Sequence, residues 1–485
     1  MIPFGEYAPD RPDFNNSGGA TIAKNVLPAP DKSYRSLSSQ SAVSGALGAR
    51  CQGAFAAQQA DGEVALFAGD ASTLNKFDTS DASFGDVSNG TYSVVTDENW
   101  EFAQFGTTVI AVTGGENPQA WTLGSSSAFT DLGGSPPTAR HVAIVRDFVV
   151  LGNTAGGTNQ VRWSAIGDES SWSTSATTQA DQQDIKGPGG WVQRIIGGEY
   201  GTIFLEHEIH RMTYVGSPLV FRFDLLEKTR GTPYPGSVAA LGRDVFYISD
   251  DGFYVWNGTS STPIGTDRID KTFFADLNDG HARARISSAI DPIEKVVMWV
   301  YPSMTSSGNP DKAIIFNYSL NQWSHAEFDS EILVRMMSPG YTMETLENVS
   351  GNLDTLAHSL DSRIWTGGEL LLQTFDTDHK LASFTGTALD AVIETGEFQP
   401  LPGRRSMINR VRPIVDGSSQ TTTIQMAPRN VGSDSLSFET AVSTNTTGDC
   451  PVRVNGRYHR VRCNISDGFD FAQGVDVTWK ARGRR

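Results

Sequence analysis

The chain has 485 residues, 38% of them hydrophobic, and a net charge of −17, which is enough length to bury the cores of two or three domains. No apolar run approaches the roughly 18 residues that span a bilayer, and the opening MIPFGEYAPDRPDF has acids and prolines where a secretory leader needs a basic end. Neither a membrane segment nor a secretory route is expected. Cys51, Cys450 and Cys463 match no disulfide framework or zinc spacing, so buried reduced thiols are expected, with no metal and no cofactor.

Charge is unevenly distributed. Residues 401–485 hold 13 Lys+Arg against 7 Asp+Glu, whereas the first 400 hold 25 against 48. An acidic body is thus followed by a basic module, with a boundary near 385–400. Such a body is unsuited to gripping nucleic acid through phosphate neutralisation, although it could surround DNA without holding it.

Taken in order, residues 1–50 are irregular and Pro-rich (Pro3, Pro9, Pro12, Pro28, Pro30). They predict an extended arm that needs a partner surface to order it. From 51 to 383, short β-branched and aromatic runs such as TTVIAV, HVAIVRDFVVLG and KVVMWVY alternate with Gly-rich turns, which predicts strands. Helical periodicity is confined to a turn or two near DKTFFADLN. A strand ending in an aromatic recurs at Phe67, Trp121, Trp163, Tyr214, Trp256, Tyr318 and Trp365, at intervals of 42 to 62 residues. That is the length of one four-stranded sheet. Copies stacked radially cover each other's faces, so an all-β propeller of six or seven degenerate blades is predicted over 51–383; the alternative is a multi-sheet sandwich with chance spacing. From 384 to 485 the alternation continues without the aromatic repeat, which predicts a separate C-terminal β-sandwich-like domain.

The tempting chemistry does not converge. In EHEIH, His207 and His210 lie three apart on a strand and face opposite ways. SDDGFYVW (Ser249, Asp251, Trp256) approaches the Asp-box turn of sialidases, but Gly252 arrives one residue early. In VRWSAIGDESSW, Ser164 has no base supplied by any pattern. The stretch reads as a turn: Trp163 ends a strand, Gly167-Asp168 turns the chain, and Trp172 folds back while Ser164 and Asp168 bond backbone amides. The functional alternative is a sugar-stacking surface made by the two tryptophans. No catalytic residue is expected.

The basic module supplies Arg404, Arg405, Arg410 and Arg412 in GRRSMINRVRP, and Arg453, Arg457, Arg460 and Arg462 in VRVNGRYHRVRC. Strand alternation puts Arg460 and Arg462 on one face with Tyr458, and Arg410 with Arg412. Were the two strands adjacent, they would form one cationic patch, suited to an acidic protein surface; the alternatives are solvated charge and, less suited to so acidic a body, nucleic acid.

FGEYAPDRPDF (Phe4 to Phe14), the N-x-L-P segment ending at Tyr34 (Asn25, Leu27, Pro28), RWSAIGDESSW and NGRYHRVRCNISDGFDFAQGVDV together resemble the tail nozzle proteins of short-tailed bacteriophages, also called tail tubular protein B or packaged-DNA stabilisation proteins. The resemblance spans nearly the whole chain, matching order and flavour more than exact strings. It implies a propeller with added β-domains, and six copies in a ring below the portal and its adaptor. Such a ring continues the DNA channel, retains the packaged genome and conducts it at ejection. The implied partners are further copies of the chain, the tail adaptor, tail fibre or needle proteins, and DNA passing without specific binding. The implied location is the virion tail, after folding in the bacterial host cytoplasm. No catalytic residue comes with the family. The Pro-rich arm would then reach across to a neighbouring subunit, and its removal over 1–30 would leave a folded monomer unable to assemble. The alternative reading is a virion-associated glycan-binding or glycan-degrading propeller.

Overall fold

The computed structural model describes residues 1–12, 19–338, 360, 365, 368–417 and 420–483. Seven four-stranded antiparallel meanders follow one another: 53–86, 101–131, 139–184, 192–227, 239–263, 287–327, and 332–383 completed by Ser41–Ala46. These are the blades of a β-propeller. Their first strands stand side by side round an axis, and Ile332–Met337 of the seventh touches Gly53–Gln58 of the first. The blade count left open by the sequence is seven.

Each blade is covered on both faces by its neighbours, and the second strands show it. Thr108–Thr113, Phe148–Thr154, Gly201–Leu205 and Val296–Tyr301 are buried at every position, which is why they read as unbroken apolar runs rather than alternating ones. Separate hydrophobic clusters fill the successive gaps between blades. Between the first two, Trp100 lies so close that a Cβ on Gly53 would meet its carbonyl at 2.2 Å and one on Gly69 its ring at 2.3 Å; only glycine fits at either place. Its indole N–H donates to Asp70 O at 2.9 Å. Trp121, Trp163, Tyr214 and Trp256 lie on the third strands of blades two to five. Phe67 lies on a second strand and Tyr318 follows a third strand. Between the fifth and sixth blades the chain inserts α1 (Asp270–Asp276) and α2 (Asp279–Arg285).

The second body is a two-sheet sandwich. One sheet contains Cys450–Gly456, Ser406–Asp416 and Phe471–Ala481; the other contains Ala391–Thr395, Tyr458–Ser466 and Thr421–Arg429.

The N-terminal segment corrects the predicted boundary at residue 50. Its described residues do not form an arm awaiting a partner: Ile2–Pro3 pairs with Phe471–Ala481, Val26–Ala29 and Ser33–Ser36 extend that sheet, and Gly19–Lys24 pairs with Ala391–Thr395 of the other. Phe4 and Tyr34 are fully buried in the sandwich core, and the Tyr34 hydroxyl donates to Gly5 O at 2.8 Å. Residues 41–46 then leave the sandwich and pair with Lys380–Ser383, closing the propeller. The prolines read as an extended arm are edge and turn residues; Val26–Ala29 pairs locally with Ser33–Ser36, but the segment is tied to the sandwich through partners more than 300 residues away.

Asn25 joins the two bodies. At φ 59° it turns the chain so that its N–H meets His325 O at 2.8 Å while its side-chain oxygen accepts Glu327 N at 2.8 Å. Lys24 ion-pairs with Glu327 at 2.7 Å, and the outer strand of the sixth blade runs on into the sandwich sheet.

Candidate functional site

The eight residues predicted to bind a partner divide between the two sheets. Ser406–Asp416 and Tyr458–Ser466 are not neighbours, so the single cationic patch expected from adjacent strands does not form. The pairings by face are present. Arg410 and Arg412 both reach Asp449, at 3.4 and 2.9 Å, and Arg460 and Arg462 both reach Glu394, at 2.7 and 2.8 Å. Glu394 is almost wholly buried, and the Arg462 guanidinium also lies 3.9 Å from the Phe438 ring centre. These four cations are therefore engaged within the chain. Tyr458 is half-buried on the Arg460 strand.

A different grouping is left. Ser406 is in register with both Gly456 and Ala481, which brings Arg404, Arg405, Arg457 and Arg482 to one end of the sheet. None of the four has a carboxylate within ion-pair distance among the described residues. Arg484 and Arg485 lie outside the described residues.

In the third blade, Trp163 packs edge-on to Phe221 at 5.2 Å and donates its indole N–H to Gln179 O at 2.9 Å. Ser164 is fully buried; its Oγ accepts Val149 N at 3.1 Å and donates to Ala165 O at 3.0 Å. Gly167 has a φ of 68° and donates its N–H to Asp147 O at 2.7 Å, while Asp168 accepts both Ser170 N and Ser170 Oγ. Trp172 is buried and donates to Glu169 O at 2.7 Å. Both tryptophans are covered, so neither offers a face for a sugar. In EHEIH, His207 sits beside Asp250 at 3.1 Å on the surface and His210 beside Glu208 at 3.0 Å in the interior.

Sequence reasoning missed a charged pocket at one mouth of the propeller axis, about 390 Å³ in volume. Its wall begins at the first strands of successive blades. Glu101 Oε2 lies 2.9 Å from His141 Nδ1 and accepts Arg194 Nη1 at 2.9 Å. Burial pushes the Glu101 carboxyl up, but Arg194 and His141 outweigh it and hold it below the ordinary carboxylate value. Arg140 pairs with Glu98 at 2.8 Å and lies over the Trp191 ring. The α2 helix and the 47–52 crossing complete the wall. The only sequence signal was a charged or histidine residue near the start of three successive first strands, which has meaning only once the blades are known. Among the described residues no cluster of three or more metal-ligating side chains occurs, and no helix is long and apolar enough to cross a membrane.

No family model and no curated protein matches the chain. Solved structures share its architecture at low identity. The WD40 domain of Neurospora crassa Pan2 aligns at 8% identity with a TM-score of 0.40, over 72% of this chain and 96% of its own. BBS1N, from its complex with ARL6DN, aligns at 10% and 0.41, over 73% and 99%. The computationally designed Ika8 protein aligns at 12% and 0.38, over 72% and 99%. The chain is an all-β propeller with a β-sandwich joined to it.

Proposed function

We propose that the protein is a structural subunit of the tail nozzle of a short-tailed bacteriophage, forming a ring of six that extends the DNA channel below the portal and adaptor. The observation that carries this reading, beside the sequence resemblance, is the segregation of charge between two joined bodies. The sandwich, 1–36 with 384–485, holds 17 Lys+Arg against 14 Asp+Glu; the propeller, 37–383, holds 21 against 41. A closed ring of identical chains needs a heterologous interface, in which one patch meets a different patch on the next copy. Among the described residues, the cationic sheet end of Arg404, Arg405, Arg457 and Arg482 faces no acid of its own chain within ion-pair distance, and a neighbour's acidic propeller or the adaptor supplies one.

In such a ring the acidic propellers also suit passage. A basic wall would bind many phosphates and stall the duplex, whereas a weakly repulsive wall acting within a Debye length of about 8–10 Å lets it slide. The protein would then reside in the virion tail, with tail fibre or needle proteins below it.

Electron microscopy of the purified protein, alone and with adaptor rings, tests the proposal. Six-fold rings with a central hole are expected. Arg404→Glu with Arg405→Glu should leave a folded monomer that no longer enters rings. Single particles in the presence of adaptor, or turnover of a polysaccharide panel, would refute the nozzle in favour of a glycan-directed protein.

A further inference from the structure

Two guanidinium groups in the axial pocket have no carboxylate within ion-pair distance among the described residues. Arg50, in the crossing between the seventh and first blades, donates to Thr96 O at 2.9 Å and Cys51 O at 3.2 Å. Arg285, the last residue of α2, is 8% exposed; its one side-chain bond is to Asn309 Oδ1 at 3.4 Å, and its Nε is buried without a partner. The pocket's other arginines are matched: Arg140 with Glu98, Arg194 with Glu101, and Arg283 with Glu206 at 3.3 Å. Two acids stand near the unmatched pair. Glu331 is occupied by Cys51 N and His379, and Asp97 is exposed at the rim. Burial, with the charge of Arg285 beside it, lowers Arg50 to about 10, and burial lowers Arg285 too. Glu331 and Asp97 offset this only in part, and a buried guanidinium such as Arg285, with no carboxylate in ion-pair contact among the described residues, is costly in the absence of an added anion.

We propose that the axial pocket binds the phosphate group of a small molecule, clamped between Arg50 and Arg285. Guanidinium forks match phosphate oxygens in pairs, and a dianion neutralises both cations where a single carboxylate neutralises one. The pocket exceeds the size of a phosphate, and Trp100, Trp191, Pro233 and Pro235 in its wall give an organic body an apolar surface. Because Arg50 sits where the ring closes and Arg285 on the helical insert, a bound phosphate ties the closing crossing to the sixth-blade side.

Calorimetric titration of the full chain with inorganic phosphate, then with adenosine monophosphate and with citrate, tests this. Saturable binding of both phosphates is expected, with a raised melting temperature. Arg50→Gln or Arg285→Gln should each weaken it by about tenfold or more, the size of one lost charge-assisted pair; Arg222→Gln, an exposed arginine of the fourth blade, should change nothing. Should Arg285→Gln fail to fold, half-buried Arg50 carries the test. Absence of saturable binding by either phosphate, unchanged affinity in Arg50→Gln, or tighter binding of citrate than of both phosphates would overturn the proposal.

Discussion

Cys51 donates its backbone N–H to Oε2 of Glu331 at 2.8 Å, across the boundary where the seventh blade meets the first. Burial raises the Glu331 carboxyl above its ordinary value, against the pull of that N–H and of His379. Glu331→Ala leaves the Cys51 N–H buried and unpaired, and should lower the unfolding free energy by about 1–3 kcal/mol. Glu331→Gln keeps an acceptor in place and should recover most of the loss. Urea unfolding followed by tryptophan fluorescence reads both.

Asp270 carries a pH dependence. Gly252 and Gly265 crowd its carboxyl, whose Oδ1 accepts Phe253 N at 3.2 Å. Burial, against that bond and with Asp10 and Asp251 nearby, raises it to about 6. A carboxyl raised on folding contributes stability that is complete below its ordinary value of 3.8 and is lost as pH rises through about 6. Asp270→Asn removes the charge and keeps the acceptor. It should melt roughly 2–4 °C above the parent at pH 7.5, and the two curves should converge below about pH 4. A gap independent of pH would refute the assignment.

Glu394→Gln removes the shared carboxylate of two arginines at once. Arg460 is largely covered and Arg462 partly so, and removal of one partner from a buried ion pair costs about 3–5 kcal/mol. Arg410→Ala and Arg412→Ala, whose side chains are nearly half exposed, should each cost less than about 1 kcal/mol. Chemical denaturation of the three variants separates the interior network from the surface one.

Removal of residues 1–36 should unfold the sandwich rather than release a tidy monomer. Phe4 and Tyr34 leave its core, and Phe471–Ala481 loses the strands on one side. Hydrogen exchange should lose protection over 391–481 while blades two to five keep theirs. Retained protection across 391–481 would restore the reading of an independent arm.

The propeller was legible because its physics is local. Second strands covered on both faces become unbroken apolar runs, and Trp121, Trp163, Tyr214 and Trp256 repeat on equivalent strands. The count stayed open because Phe67 and Tyr318 fall at other places in their blades, so the spacing drifts. Alternation placed Arg460 with Arg462 and Arg410 with Arg412, but it carries no information on which strands are neighbours. Glu394 lies 66 and 68 residues from Arg460 and Arg462, and Asp449 39 and 37 from Arg410 and Arg412, and neither acid had a mark of its own. The axial pocket is assembled from short separate segments between Arg50 and Ile332, none in a spaced motif. The N-terminal strands were hidden by their shortness and by the distance to their partners.

That distance reaches its extreme in one pairing. Ile2 is in register with Val475, so this strand waits for one made far later in the chain before their sheet exists. The propeller's closing strand waits similarly, for Lys380–Ser383. Contacts of such separation form slowly and leave apolar edges uncovered meanwhile. A chain terminated before Lys380 can complete neither body, and one terminated before Phe471 cannot complete the sandwich, so the arrangement excludes such copies from any assembly that recognises the folded surface.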